Sequence, residues 1–369
     1  MKTWTLRAES SKVTSAYMLL PPVVSRVPTV ARVPYRTVLS LSGSQATEFL
    51  NGLVSGAVPA SPRPFYSAFL HAQGKVLYDA FFYTRTAPDG QKSYLIDYDS
   101  RSADAPPLLQ LLKRYILRSR VKVRDASDEF DVWAAWGTPA DAEKAPRQWR
   151  WAEHSGVAEP VWDNSVSPWG TADLEVRDVR APGMGRRLLV RKKDTPPESA
   201  SHDFLPSEFY TLHRMLHGVP EGTGEMFGFP MESNLDIMGA VDFRKGCYVG
   251  QELTVRTYHT GVIRKRILPV VIHAADARPD GPAEPRAEIP SFAANSEIRP
   301  LVLREGGVRP RGTGKLLNST HGIGLALLRL EHVQAAEQGN LAFTLDADAS
   351  PEWGISQWRP EWWPQSDAA

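Results

Sequence analysis

The chain has 369 residues, enough for two or three domains and a sizeable core. A hydrophobic share of 42%, Trp 11 and a net charge of +1 exclude a disordered chain and a strongly nucleic-acid-seeking one. A single cysteine excludes an internal disulfide framework and suits a reducing compartment, and no apolar run approaches the roughly 18 residues that span a bilayer.

The N-terminal stretch carries Lys2, Arg7, Lys12, Arg26, Arg32 and Arg36 against the single acid Glu9, with Ser10, Ser11, Ser15 and Ser25. An Arg- and Ser-rich, acid-poor leader fits the remnant of a transit sequence, a basic tail, or the first strand of the fold. Residues 1–32 are read as a basic leader, with folding expected from Val33. Tyr35 to Leu41 alternates as a strand does, and Ala46, Phe49, Leu50 and Leu53 recur at helical spacing before Gly56. Tyr66 to Leu70 and Val76 to Tyr83, joined through Gln73-Gly74-Lys75, predict a hairpin. A further strand, Ser93 to Tyr98, is expected after the turn Pro88-Asp89-Gly90. Asp79, within the hairpin, faces either solvent or a ligand.

Pro106 opens a helix with the stripe Leu108, Leu111, Leu112 and Tyr115. Beyond it Arg118, Arg120, Lys122 and Arg124 alternate with Ser119, Val121 and Val123, so a strand here would gather four cations on one face. Such a face is either an edge protected from aggregation by charge or an anion-binding surface for a polyglutamyl tail or an acidic partner. The absence of interleaved aromatics argues against single-stranded nucleic acid.

Between Asp125 and Arg180 lie Trp133, Trp136, Trp149, Trp151, Trp162 and Trp169. Phe130 to Ala135 and Leu188 to Val190 read as strands, and Gly137 to Arg147 and Lys192 to Ser201 as loops. Pro206 opens a helix that buries Phe209, Leu212 and Leu216 and ends at Gly218. His213 and His217 share one face of it; a metal pair is conceivable, but the Glu of a metalloprotease helix is missing, and His217 suits the helix dipole as it stands.

The stretch Arg244-Lys245-Gly246-Cys247-Tyr248-Val249-Gly250-Gln251-Glu252 holds the lone cysteine. Its glycines allow a tight turn that presents the sulfur, and Arg244 and Lys245 place cations that favour the thiolate. A lone cysteine can equally be a small buried hydrophobe. Ile267 to Ile272 then begins a small C-terminal barrel, Ala274 to Pro290 is an inserted loop, and Trp353, Trp358, Trp362 and Trp363 either cover the barrel or form a contact patch. Arg311-Gly312-Thr313-Gly314-Lys315 is not a phosphate loop, since Leu316 follows the lysine where Ser or Thr is required.

The octamer Lys245 to Glu252 resembles the Lys-Gly-Cys-Tyr-x-Gly-Gln-Glu motif of the YgfZ-type branch of the aminomethyltransferase (glycine cleavage T-protein) superfamily. Gly218-Val219-Pro220, Pro230 to Asp236, Arg256 to Arg266 and the barrel strand Gly322 to Arg329 fit the same pattern. The resemblance implies an α+β fold: two α+β domains, 33–128 and 129–266, plus a C-terminal β-barrel domain, 267–369, around a central cleft. It implies a mitochondrial-matrix iron–sulfur cluster assembly factor, a monomer when alone, that works with an A-type scaffold protein in [4Fe-4S] maturation without classical turnover. A cluster needs about four ligands and the chain supplies one cysteine, so Cys247 would be the metal ligand of a shared [2Fe-2S] cluster. Lys245, Tyr248, Gln251, Glu252 and Arg256 would line the cofactor, and His259, Arg264, Lys265 and Arg266 would shape the docking surface. The alternative is a tetrahydrofolate-dependent one-carbon transferase with Asp79 as the catalytic acid. The superfamily's enzymes commonly carry an Asp-Asp pair where this chain has Tyr78-Asp79, and their pterin-recognising Glu is missing from the residues before Gly218.

Overall fold

The structure is a computed structural model and describes residues 27–364, apart from 87–89, 102–103, 143–147, 163–166, 277–282, 304–311 and 346–352. The leader up to residue 26, most of the expected Pro88-Asp89-Gly90 turn and part of the inserted loop therefore lie outside the described residues. No described helix is long and apolar enough to cross a membrane.

The N-terminal half contains β1 (Thr29–Arg32), β2 (Arg36–Ser42), α1 (Ala46–Asn51), β3 (Phe65–Leu70), β4 (Val76–Thr86), β5 (Lys92–Asp99), α2 (Leu108–Ile116) and β6 (Lys122–Asp125). Five of these strands form an antiparallel sheet in the order β3-β4-β5-β2-β6. The hairpin β3/β4 forms as its alternation predicts, with Gly74 in the left-handed region at the turn. Both faces of β4 are covered, which is why Phe81, Phe82 and Tyr83 are consecutive and all fully buried.

The second half contains β7 (Phe130–Trp136), β8 (Gln148–Ala152), β9 (Val157–Val161), β10 (Glu175–Arg177), β11 (Arg186–Arg191), β12 (Asp203–Phe204), α3 (Ser207–Leu216) and α4 (Gln251–Thr260). A second sheet runs β10-β11-β7-β1-β12, and β8 and β9 pair by themselves. The last four residues of the expected leader, Thr29–Arg32, thus supply a strand of this sheet, the first-strand alternative for that end of the stretch. Val30 lies opposite Ala135 on one side and Phe204 on the other, and Val30 and Ala31 are fully buried. Four residues beside a basic run give too short a period to read, and both partner strands lie more than ninety residues downstream.

Of the four alternating cations, only Lys122 and Arg124 lie on a strand, the sheet edge β6; Arg118 and Arg120 belong to the connection before it. All four are exposed, and Lys122 and Arg124 guard the edge as charges should.

The C-terminal barrel closes through β13 (Lys265–Ala274), β14 (Ser296–Val302), β15 (Gly314–Thr320), β16 (Ile323–Arg329), β17 (Leu341–Leu345) and β18 (Trp353–Gln357), in the order β13-β16-β15-β14-β17-β18, with α5 (Leu330–Glu337) following β16. It opens at Lys265, two residues before the expected boundary. Trp353 belongs to the closing strand and Trp363 packs into the barrel core beside Val333 and Phe343, so these tail tryptophans serve packing.

Candidate functional site

Cys247 is exposed. It sits on the turn between the middle of the molecule and α4, and the residues around it are fastened down while the sulfur is not. Lys245 turns away from the thiol: its Nζ donates to the carbonyls of Asn51 (2.8 Å), Val54 (2.7 Å) and Gly56 (2.8 Å) at and beyond the end of α1. Three ammonium protons thus meet three acceptors. Burial draws the Lys245 pKa down to about 8, with Asp242 acting in the other direction.

Tyr248 is buried, its ring lies 4.9 Å from the Lys245 Nζ, and burial pushes its hydroxyl up to about 12. Its backbone N–H donates to the side-chain oxygen of Gln251, and that of Val249 donates to the Gly52 carbonyl. Gly250 caps α4 with φ +82; a Cβ there would stand 2.8 Å from the Leu70 Cβ and closer still to the His71 carbonyl oxygen. Only glycine fits. Gly246, by contrast, has free space around it and no positive φ, so the second hinge expected of the motif is absent.

Several expected members of the site point elsewhere. Arg244 makes a two-pronged ion pair with Glu159 on β9 (3.0 and 2.7 Å) instead of standing over the thiol. The guanidinium of Arg266 is buried against Asp236 (2.8 Å to each carboxylate oxygen) and the Met231 carbonyl, so it joins the barrel to the preceding loop and is not a docking cation. Asn234, on the same loop, donates to the Ile267 carbonyl, which accounts for the Pro230 to Asp236 motif. Arg256 pairs with Glu252 one turn away on α4, both of them more than half exposed, a bond of a few tenths of a kcal/mol. Arg256, His259, Val262 and Arg264 are exposed and Lys265 is half-buried. Only Thr254 of α4 is fully buried and Tyr258 stacks on Phe243, while Glu252, Arg256, His259 and Thr260 are exposed.

Asp79, expected to face solvent or a ligand, does neither. Its side chain is fully enclosed between the first two sheets: one oxygen accepts the Gly222 N–H (2.9 Å), the other accepts Arg36 (2.9 Å) and the Tyr66 hydroxyl (3.2 Å). Arg36 also reaches Asp97, and Glu221 gathers Arg187 (2.6 Å), Arg180 (2.7 Å) and the hydroxyls of Tyr210 and Tyr35. Burial works against the Arg36 charge, but Asp79, Asp97 and Glu221 outweigh it and hold its pKa well above the ordinary value. Glu221 stands well below the usual carboxylate range: burial raises it, and Arg187, Arg180, Arg36 and Arg214 bring it down. Burial leaves Asp97 raised, despite Arg36 and Arg187. Both oxygens of Asp79 are thus committed to the protein's own donors, which does not fit an acid serving a bound folate.

Sequence reasoning missed Glu221, Arg180 and Arg187. The one local signal is Arg186-Arg187 entering the apolar run Leu188-Leu189-Val190. His213 and His217 form no metal site. His213 stacks on Trp136 and meets the Gly183 carbonyl (3.2 Å), while the Nδ1 of His217 bonds the His213 carbonyl (2.8 Å). Burial, then the neighbouring His217, hold His213 well below its ordinary pKa, and burial lowers His217 too. No described group of three or more His, Cys, Asp or Glu is arranged to hold a metal.

Residues 264–365 match the family described as the CAF17 C-terminal beta-barrel domain. A glycine cleavage system aminomethyltransferase T from Bartonella henselae superposes with a TM-score of 0.60, covering 91% of this chain and 87% of its own; at 12% identity it shows the fold alone. The protein of Cryptococcus neoformans named "Iron-sulfur cluster assembly factor IBA57 homolog, mitochondrial" is 40% identical over 321 residues, 82% of this chain and 84% of its own. Proteins of the same name from Phaeosphaeria nodorum and Mycosarcoma maydis are 38% and 33% identical, covering 82% and 91% of this chain and 71% and 85% of their own. With that identity, that coverage and the shared aminomethyltransferase-like architecture, the chain belongs to the family of mitochondrial IBA57-type iron–sulfur cluster assembly factors.

Proposed function

We propose that the chain contributes Cys247 as one thiolate ligand of a [2Fe-2S] cluster whose other ligands come from an A-type scaffold protein, in the maturation of [4Fe-4S] proteins of the mitochondrial matrix. The cluster is cargo. It needs about four ligands and this chain offers one sulfur, so a partner or a small thiol completes it. The observation that carries the reading is the exposed thiol on a turn whose other members, Lys245, Tyr248, Gly250 and Gln251, are each tied down. A sulfur held in one place needs less ordering when a second protein arrives. The exposed residues of α4, Glu252, Arg256 and His259, with Arg264 beyond its end, form the surface such a partner would meet.

Anaerobic mixing with a cluster-loaded A-type scaffold, followed by absorbance and native mass, tests this. Wild type is expected to form an iron-containing heterodimer and Cys247→Ser to lose the iron. An iron-free wild-type complex, or a mutant that keeps its iron, would overturn the reading. Turnover on tetrahydrofolate is disfavoured by the enclosure of Asp79, and calorimetric titration with millimolar tetrahydrofolate is expected to give no heat.

A further inference from the structure

The chain is fastened into the second sheet well upstream of Val33. The Pro28 carbonyl accepts the Asp203 N–H (2.8 Å), and the Val27 carbonyl accepts the Thr29 hydroxyl (2.8 Å). Gly137, the residue after β7, has φ +91; a Cβ there would stand 2.9 Å from the Val27 carbonyl carbon and closer still to its oxygen, so the backbone of residue 27 is seated against it. In β1 itself the Val30 carbonyl accepts the Leu205 N–H (3.1 Å), and Thr29, Val30 and Ala31 are buried. The basic, acid-poor composition belongs to what comes before: Lys2, Arg7, Lys12 and Arg26 against Glu9. The tripeptide Arg-Val-Pro occurs at both ends of β1, as Arg26-Val27-Pro28 and as Arg32-Val33-Pro34.

We infer that the leader of this mitochondrial protein is removed by proteolysis at a bond no later than Arg26–Val27, so that the first Arg-Val-Pro, and not the second, bounds the mature chain. The inference rests on the family assignment and on the anchoring of Val27 to Arg32; it is independent of cluster sharing. Water adds across the scissile amide, leaving a carboxylate on the leader and an amine on the mature chain. A peptidase suited to the task takes an Arg- and Ser-rich, acid-poor substrate, the class to which residues 1–26 belong. Arg26 and Arg32 offer it the same two following residues, yet cutting at them has opposite consequences. A cut after Arg26 leaves every bond named above in place. A cut after Arg32 carries β1 away, so that β7 loses one of its two neighbours and β12 its only one. The buried Ala135, which lies opposite Val30, would lose its cover on that side.

Import of the full chain into isolated mitochondria, followed by intact mass and N-terminal sequencing of the matrix form, tests this. The matrix form is expected to begin at Val27 or earlier, residues 1–26 being the most that is lost. A form that begins at Val33, or anywhere else after Val27, overturns the inference, and so does an imported chain that keeps Lys2. Arg32→Ala gives up a surface ion pair with Asp131 and is expected to leave the start of the matrix form unchanged. A start that moves in this variant would mean that the second arginine is the one recognised, and the inference falls. A further measurement does not depend on import: purified chains that begin at Val27 and at Val33 are compared with the full chain by thermal melting. The Val27 chain is expected to melt within about 2 °C of the full chain, and the Val33 chain at least about 10 °C lower or not to fold. Equal melting of all three overturns the inference. So does a Val27 chain as unstable as the Val33 chain, because the limit would then lie upstream of Arg26.

Discussion

Replacing Lys245 with methionine keeps the stem of the side chain and deletes its three donors. The carbonyls of Asn51, Val54 and Gly56 lose bonds of 2.7–2.8 Å, each with a net worth near 1 kcal/mol, so the gross loss is about 3 kcal/mol. Relief of the half-buried ammonium returns part of this, leaving a net cost of about 1–3 kcal/mol. The loss should be concentrated at the turn. Native-state hydrogen exchange of the Val249 and Tyr248 amides, bonded to Gly52 and Gln251, should quicken about 10- to 100-fold, more than amides of the barrel strands. The pH dependence has a definite sign. The folded pKa, about 8, lies below the unfolded value, so between these values the unfolded chain holds the proton more firmly and rising pH stabilises the wild type. The stability gap between wild type and Lys245→Met should therefore be smallest below pH 8 and widen from there towards pH 10. Unchanged amide exchange at Val249 would refute the clamp, and a gap that narrows as pH rises would refute the lowered Lys245 pKa.

Gly250→Ala should cost several kcal/mol, about 2–4, and disturb the thiol turn before the rest of the protein, because the added methyl meets Leu70 and His71 while φ stays positive; thermal melting together with the rate of Cys247 alkylation reads both effects, and an alanine variant with wild-type values would contradict it. Arg36→Met should lose about 3–5 kcal/mol in urea unfolding, since it strands Asp79 and Asp97 in the interior, and a loss under about 1 kcal/mol would mean that the network is not ionic.

Much of the fold can be read from local pattern. The hairpin β3/β4, the helix α3 behind Pro206 and the strand β2 each carry their own period or punctuation. The exposure of Cys247 is one of the two outcomes that its sequence context leaves open, and the left-handed Gly250 accompanies it. What local pattern cannot carry is direction at long range. Lys245 looks like a companion for the sulfur until the end of α1, some 190 residues earlier, presents three carbonyls to it. Asp79 looks like a strand acid until Gly222, 143 residues away, closes one side and Arg36 the other. Arg266 reads as one of three surface cations, and Asp236 turns it inward. In each case the deciding partner belongs to another element, and charge in a short motif says nothing about which partner wins.

The position of β1 bears on how the molecule is made. This strand precedes every other described strand in the chain, yet its neighbour β7 begins about a hundred residues later, and its other neighbour β12 later again. At typical rates of synthesis that is an interval of roughly 5–20 s in which Thr29 to Arg32 has nothing to pair with. The sheet of the second half thus closes only when strands made later reach back to β1, and a fragment that starts at Val33 would leave a slot between β7 and β12 with raw edges on both sides.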